Sequence, residues 1–293
     1  MVSHVFPLKE IEHCIRAIGG EVPGTFPTKA LINPALRMIE GLKGKVAIVT
    51  GGAHGIGKAY CLGFAKAGAH VVIADIDEAA AKRGGAEITN DFGAPTLALH
   101  TDVSNEASTK EMAARALERF GQIDVLVNNA AVFSVVPMNR GGIETIDPEE
   151  WDRLMAVNLR GLFFAVARRC RQCANKNPAR SSPSLREPFL PARREGSHYV
   201  TSKAATIGFT RTLAREVGDD NINVNCLAPG NTLSEENPTD QMVKFRESSV
   251  GLRALKRIQM PNDVVGAMLF LASPLSDFIT GQTINVDGGI SFL

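Results

Sequence analysis

From Lys45 to about Gly142 the chain alternates short apolar runs with longer amphipathic segments. Lys45–Thr50 (KVAIVT), Val71–Ala74, Thr96–Leu99 and Val125–Val127 have strand length and the apolar character of strands buried on both faces. Between them, Ile56–Ala67, Glu78–Asp91 and Glu106–Phe120 repeat apolar residues at helical spacing. The pattern resumes after Tyr199 with a helix to about Val217 and a strand at Ile222–Leu227. A helix at Asn262–Ala272 and a last strand at Thr283–Val286 follow. Such alternation predicts an α/β fold in which a parallel sheet carries helices on both faces. With no internal repeat and no second core in the pattern, residues 42–293 read as one domain.

Two stretches break the pattern. Residues 1–41 contain Gly19-Gly20, Pro23-Gly24 and Pro27 and admit at most a short helix near Leu8–Ile18. They read as an N-terminal extension, either a disordered tail or not native, with Met38 as an alternative start. The second stretch, 168–195, contains no Val or Ile, while Arg, Pro, Ser and Cys crowd together. A central strand of a parallel sheet is a continuous apolar run from which proline is nearly excluded. The run SSPSLREP is not such a strand.

Composition narrows the function classes. The 32 basic and 31 acidic residues leave a net charge of +1, which gives no electrostatic case for nucleic acid or an anionic membrane. No apolar run approaches the roughly 20 residues of a membrane helix. The N-terminus lacks a basic region followed by an apolar one, so secretion is not expected. Five scattered cysteines do not suggest a disulfide framework, and a cytoplasmic setting is the default expectation.

Candidate chemistry begins at Thr50-Gly51-Gly52-Ala53-His54-Gly55-Ile56-Gly57, which follows the first strand and opens the first helix. Gly51 suits a tight turn, Gly55 lets backbone approach a pyrophosphate, and Gly57 allows close helix–strand packing. The helix N-terminus then offers free N–H groups to phosphate. Asp75 ends the second strand 18 residues past Gly57, where a carboxylate takes the adenine ribose hydroxyls and repels a 2′-phosphate. That favours NAD over NADP; the alternative is a helix cap, since Asp75 and Asp77 both precede a helix.

These motifs, with Asp102-Val103 after the third strand and Asn128-Asn129-Ala130-Ala131 after the fourth, resemble the short-chain dehydrogenase/reductase family. The family usually has Gly where Ala131 stands. The resemblance continues through Asn158, Tyr199-x-x-x-Lys203, Pro229-Gly230 and Thr280-Gly281-Gln282…Asp287-Gly288-Gly289, covering about 42–293 apart from the misfit segment. It implies a doubly wound, Rossmann-type sheet of about seven strands in three layers. It also implies an NAD site formed by Gly51, His54, Gly55, Ile56, Gly57, Asp75, Ile76, Asp102, Val103, Asn129, Ala130, Tyr199, Lys203, Pro229, Gly230 and Thr232, with Asn231-Thr232 reaching the nicotinamide amide.

Tyr199 and Lys203 are four apart at the start of a predicted helix and share a face. A phenol, with a reference pKa of about 10, is a poor base near neutrality. A nearby lysine cation and a positive nicotinamide favour the phenolate. The resemblance implies that Tyr199 exchanges a proton with the substrate oxygen, Lys203 holds the nicotinamide ribose, and Asn158 holds a proton-relaying water. It implies NAD-linked hydride transfer to or from a small secondary alcohol or ketone, in a homotetramer built through the helices bearing Asn158 and Tyr199. An acyl-carrier ketoreductase would call for NADPH, against which Asp75 argues.

The family's fourth residue, a Ser about 13 positions before the Tyr, is absent: that position is Arg186. Asn158 to Tyr199 nevertheless spans the length the family needs, so something has been replaced rather than inserted. We read 168–195 as a compensated frameshift, in the gene or its recorded sequence. Read from each codon's third base, TCN serine codons at Ser181, Ser182 and Ser184 yield only Phe, Leu, Ile or Val. Permitted codons from Cys170 onward give V-P-x-M-R-K-Q-K-S-G-K-I-V-T-I-A-S, a helix end, turn, strand and serine. The pair Cys170-x-x-Cys173 lies in this stretch and has no second pair or His pair to complete a metal site, so no metal is expected. If the written residues stand, weak turnover is expected, and the competing reading is a catalytically impaired nucleotide-binding protein. Asn231 to Met260 occupies the place of the family's substrate lid. Its mixed charges and Met242, Phe245, Leu252 and Leu255 point to no charge class of substrate.

Overall fold

The computed structural model describes residues 41–133, 138–139, 141–166 and 196–291, together with the backbone of three short strands at 4–7, 30–33 and 180–183. Two of those strands, β1 (His4–Pro7) and β2 (Ala30–Asn33), lie in the N-terminal extension and pair in parallel as a sheet of their own. The short helix expected near Leu8–Ile18 and the Cys170–Cys173 pair lie outside the described residues.

The main sheet contains β3 (Val46–Thr50), β4 (His70–Asp75), β5 (Thr96–His100), β6 (Val125–Asn128), β7 (Arg180–Pro183) and β8 (Asn223–Val224). All pairings are parallel, in the order β5-β4-β3-β6-β7-β8. The order reverses between β3 and β6, which makes this a doubly wound sheet whose switch point opens at the carboxyl ends of those two strands.

Alternation along the strands builds two cores. Ala47, Val49, Val71, Ile73, Val125 and Val127 pack against α1 (Gly55–Lys66), α2 (Glu78–Phe92) and α7 (Asn262–Ala272), which contribute Tyr60, Phe64, Ile88, Met268 and Leu271. Val46, Ile48, Val72, Ala74 and Leu126 pack on the opposite face. There they meet α3 (Glu106–Phe120), helical residues 161–166 and α5 (Ser197–Glu216), through Met112, Ala116, Leu162 and Leu213. Two of the three helices that follow strands directly are capped by side chains. Asp77 accepts from Ala80 N at 2.9 Å at the start of α2, and Asn105 accepts from Ala107 N and Ser108 N at the start of α3.

Two sequence expectations are corrected. SSPSLREP does not read as a strand, yet the Arg180–Pro183 backbone runs parallel between β6 and β8, with Ser181 opposite Leu126 and Ser182 opposite Val127. The chain length between Asn158 and Tyr199 is retained, the neighbouring strands offer ladder partners on both sides, and Pro183 falls at the strand end, where its missing N–H interrupts least. Ile222–Leu227 reads as one strand, but it divides at Asn225 into β8 and β9 (Cys226–Pro229). The buried Asn225 side chain donates to Ile279 O at 2.6 Å and accepts from Gln282 N at 3.1 Å. It thereby hands the chain from β7 to a separate parallel pairing with β10 (Thr283–Val286).

Candidate active site

The loop from β3 into α1 is shaped by its glycines. Gly51 and Gly55 have φ of +61° and +53°, a region that favours glycine. A Cβ on Gly57 would collide with the Gly51 carbonyl oxygen and come within 2.6 Å of Asn129 Nδ2, so helix and strand meet there at backbone distance. Unlike α2 and α3, α1 has no side-chain cap: His54 holds the N-cap position without a capping hydrogen bond. No side chain caps its first amides, the arrangement of a helix N-terminus that can receive an anion.

One carboxylate secures the loop from the neighbouring strand. Asp75, buried at the end of β4, accepts from Ala53 N at 2.9 Å through Oδ2 and from Asp77 N at 3.0 Å through Oδ1. The cap of α2 is Asp77, so Asp75 ties the glycine loop to the β4–α2 turn instead. Asp77 also receives His54 Nε2 at 3.1 Å. The Ala80 amide and then His54 hold its carboxyl below the ordinary range. Behind the loop, burial pushes the Cys61 thiol up and the Asp75 charge adds to this, so Cys61 stays protonated.

Gly51, His54, Gly55, Ile56 and Gly57 line a cavity of about 620 Å³. Asp75, Ile76, Asp102, Val103, Asn129 and Ala130 line the same cavity. Eleven residues selected from sequence therefore surround one space. Asp102 Oδ1 is engaged by Ser104 N at 2.9 Å and Ser104 Oγ at 2.7 Å, which shapes the turn into α3.

Thr50 and Asn129 stitch the switch point closed behind this cavity. Thr50 Oγ1 accepts from Asn129 N at 3.0 Å and from Ala130 N at 3.1 Å, and donates to Val127 O at 3.3 Å. Asn129 Nδ2 donates to Thr50 O and Gly51 O at 3.0 and 2.9 Å. Asn158 sits in a π-helical turn, Ala156–Arg160, that follows α4 (Pro148–Met155). Such turns concentrate at functional sites. Its Oδ1 accepts from Val132 N at 2.8 Å, and its Nδ2 donates to Ser202 Oγ at 3.2 Å. Ser202 in turn donates to Tyr199 O at 2.7 Å, which fixes α5 against the π turn.

Tyr199 and Lys203 are both buried, at 7% and 4% exposure, and the Lys203 ammonium lies 5.6 Å from the Tyr199 ring centroid. Lys203, Asn158, Thr50 and Asn128 wall a small cavity of about 10 Å³ that shares Val103, Ala130 and Val157 with the large one. That volume and its polar walls suit one water molecule.

Tyr199 lines neither space, and Pro229, Gly230 and Thr232 likewise stand apart from both. A Cβ on Gly230 would meet Asp287 Cα at 2.8 Å, and the Thr232 hydroxyl donates to Gly230 O at 2.9 Å. Thr232 is 2% exposed and engaged with its own loop. Arg253 holds that loop: it donates to Asn231 O at 2.8 Å and Asp287 O at 3.2 Å. Arg186 lies outside the described residues. Sequence reasoning missed Ser202, though it lies on the Tyr199 helix, and it missed Phe133, whose ring is 5.3 Å from that of Tyr199. It also missed the buried Arg246 and Arg253, which polar lid sequence gives no means to distinguish from surface cations. Among the described residues no group of three or more His, Cys, Asp or Glu could hold a metal, and no helix is long and apolar enough to cross a membrane.

Comparison with known proteins agrees with this geometry. A family model described as Enoyl-(Acyl carrier protein) reductase matches residues 51–291. The chain is 36% identical over 265 residues to sorbitol dehydrogenase from Cereibacter sphaeroides, covering 85% of this chain and 98% of that protein. A short-chain type dehydrogenase/reductase from Mycobacterium marinum superposes with a TM-score of 0.80 at 27% identity, over 88% of this chain and 100% of that one. The 3-ketoacyl-(acyl-carrier-protein) reductase from Brucella melitensis, solved with NADH, gives 0.74 at 32% identity, over 86% and 100%. Matches of this extent and identity, together with the shared fold, place the chain among oxidoreductases: it belongs to the short-chain dehydrogenase/reductase family.

Proposed function

We propose that the chain transfers hydride between NAD(H) and a small secondary alcohol or ketone, with Tyr199 as the acid/base. The observation that carries this reading is that the polar nook of Asn158 and Lys203 shares Val103, Ala130 and Val157 with the large cavity, and that Lys203 pairs there with the buried Tyr199 ring. The cradle fits a dinucleotide: α1 leaves its first amides without a side-chain cap, a Cβ on Gly55 would press to 3.0 Å of Ser234 O, and exposed Ile76 offers an apolar face to a base. When bound, the nicotinamide supplies the hydride acceptor or donor. The chain's own residues do the rest. Tyr199 passes a proton to or from the substrate oxygen, the Lys203 cation favours the phenolate, and the water-sized cavity at Asn158 carries the proton onward.

Asp75 underlies the choice of NAD. A 2′-phosphate beside this buried carboxylate and Asp77 meets like charge. NADH is expected to bind at least about tenfold more tightly than NADPH, about 1.4 kcal/mol. Asp75→Ser should narrow the gap while lowering Tm, because it also frees the Ala53 and Asp77 amides. Fluorescence titration with both reduced cofactors checks this, and equal or tighter NADPH binding overturns it.

The second reading, a nucleotide-binding protein with impaired catalysis, is favoured by the polar Arg180–Pro183 strand and by Arg186 at the position where the family carries serine. NADH binding without turnover across a panel of secondary alcohols and ketones would select it.

We also propose a homotetramer. Its support is an open apolar groove on the outer side of the helices bearing Asn158 and Tyr199, lined by Met155, Leu159, Phe163 and Phe209, with Phe163 52% exposed. Phe163→Glu is expected to convert the assembly to smaller species by light scattering after gel filtration. A wild-type chain that is already monomeric would end this part of the proposal.

A further inference from the structure

The segment over the cleft holds a buried cation that the reading above does not use. Helix α6 (Asp240–Glu247) is eight residues long, and the one residue it buries is Arg246, 2% exposed. A helix this short has little stability of its own, and α6 only half-buries its apolar Val243 and Phe245. We infer that Arg246 is a positioning residue, the latch that holds this helix closed over the cleft. The inference rests on the proposed function only where it calls the helix a substrate lid.

The contacts run to the loop that leaves β9 and to Phe133. Arg246 Nη1 donates to Asn231 Oδ1 at 2.5 Å, and Nη2 donates to Glu235 Oε1 at 2.6 Å. Both partners sit on the loop that leaves β9, and Glu235 itself lines the cavity. Asn231 returns to the far end of α6 by donating to Ser249 Oγ at 2.8 Å. The guanidinium also lies 5.8 Å over the Phe133 ring, and Phe133 stacks on Tyr199. One planar cation thus joins the lid helix to the β9 loop and, through Phe133, to the Tyr199 ring.

Burial alone would raise the Glu235 carboxyl, but the Arg246 charge and its hydrogen bonds outweigh that, so the pair is ionised. Charge-assisted bonds in such a buried setting are strong. Lys58 to Glu236 at 3.3 Å also bridges the cleft edge, but it is an exposed pair and contributes little. Opening the lid therefore requires breaking the Arg246 contacts. Met242 on α6, a lining residue, would leave with it.

The test is site-specific proteolysis of the whole chain by a glutamate-specific protease, following the cut after exposed Glu247 by mass, with NADH dissociation measured alongside. Glu235→Gln keeps shape and removes one charge; Arg246→Met removes the latch. Each should speed the Glu247 cut by about tenfold or more, the factor for one charge-assisted hydrogen bond, with cuts outside the lid unchanged. The double variant should be no worse than Arg246→Met, since the two act as one unit. NADH should leave both variants faster than wild type. Cleavage at wild-type rates in both variants, or acceleration spread over the whole chain, overturns the latch. If the Glu247 cut responds as stated while NADH fails to bind any form, the latch stands and the proposed cofactor falls.

Discussion

Rebuilding the strand before Tyr199 is expected to raise kcat by about 10²–10³-fold, the usual worth of one preorganised donor to a reacting oxygen. The rebuilt chain carries Ser181→Ile, Ser182→Val, Pro183→Thr, Ser184→Ile, Leu185→Ala and Arg186→Ser. Its backbone route already exists, because Arg180–Pro183 occupies the ladder between β6 and β8. What the written sequence lacks is the apolar content of a central parallel strand and a hydroxyl at its end. The ladder partners Leu126 and Val127 are 1% and 0% exposed, so residues 181 and 182 pair with a fully buried strand. A strand paired on both sides in a parallel sheet suits apolar residues, and the rebuilt chain should also melt at a higher temperature. Arg186→Ser alone separates the two effects: the hydroxyl without the strand should recover less turnover than the full set. Steady-state NADH absorbance with a panel of secondary alcohols and ketones gives the comparison. A rebuilt chain that is more stable but no faster would mean that the missing serine does not limit this protein.

The fold was legible wherever burial on both faces forced a continuous apolar run. KVAIVT and VVIA admit no other reading once helical segments follow them, and their alternate residues divide between the two cores. The same logic failed at residues 180–183, because periodicity reports side chains and a parallel ladder is made by backbone. It failed again at Asn225, where one buried amide ends a strand that the apolar run would have continued.

The site was legible to the extent that its chemistry is local. Gly51, Gly55 and Gly57 are dictated by backbone geometry within one turn, and Tyr199 and Lys203 by one helical repeat. Asp75 was found by its place at a strand end, although its two amide bonds, to Ala53 and Asp77, show a loop-fastening role that spacing alone does not contain. Thr232 was expected at the cofactor, yet its hydroxyl is turned to Gly230 O. Arg246 and Arg253 were invisible because their partners lie up to 34 residues away, and nothing in a polar lid marks which cation will be buried.

In the rebuilt chain, Tyr199→Phe is expected to lower kcat by about 10²–10⁴-fold, the range typical of a positioned general acid or base. The change preserves the known ring and backbone contacts of Tyr199. Phe keeps the ring that stacks on Phe133 at 5.3 Å and lies 5.6 Å from the Lys203 ammonium, and the link from Ser202 runs to the Tyr199 backbone carbonyl rather than its hydroxyl. NADH affinity and Tm should therefore stay close to those of the parent. Lys203→Met is the informative partner. It removes both the cation that favours the phenolate and the proposed hold on the ribose, so it should weaken NADH binding as well as slow turnover. Its effect should also shift the pH–rate profile toward higher pH, because the phenolate loses its neighbouring charge and the tyrosine must be titrated by bulk base. If Tyr199→Phe retains parental turnover, the proton comes from elsewhere, and the Tyr–Lys pair is then a packing feature of α5.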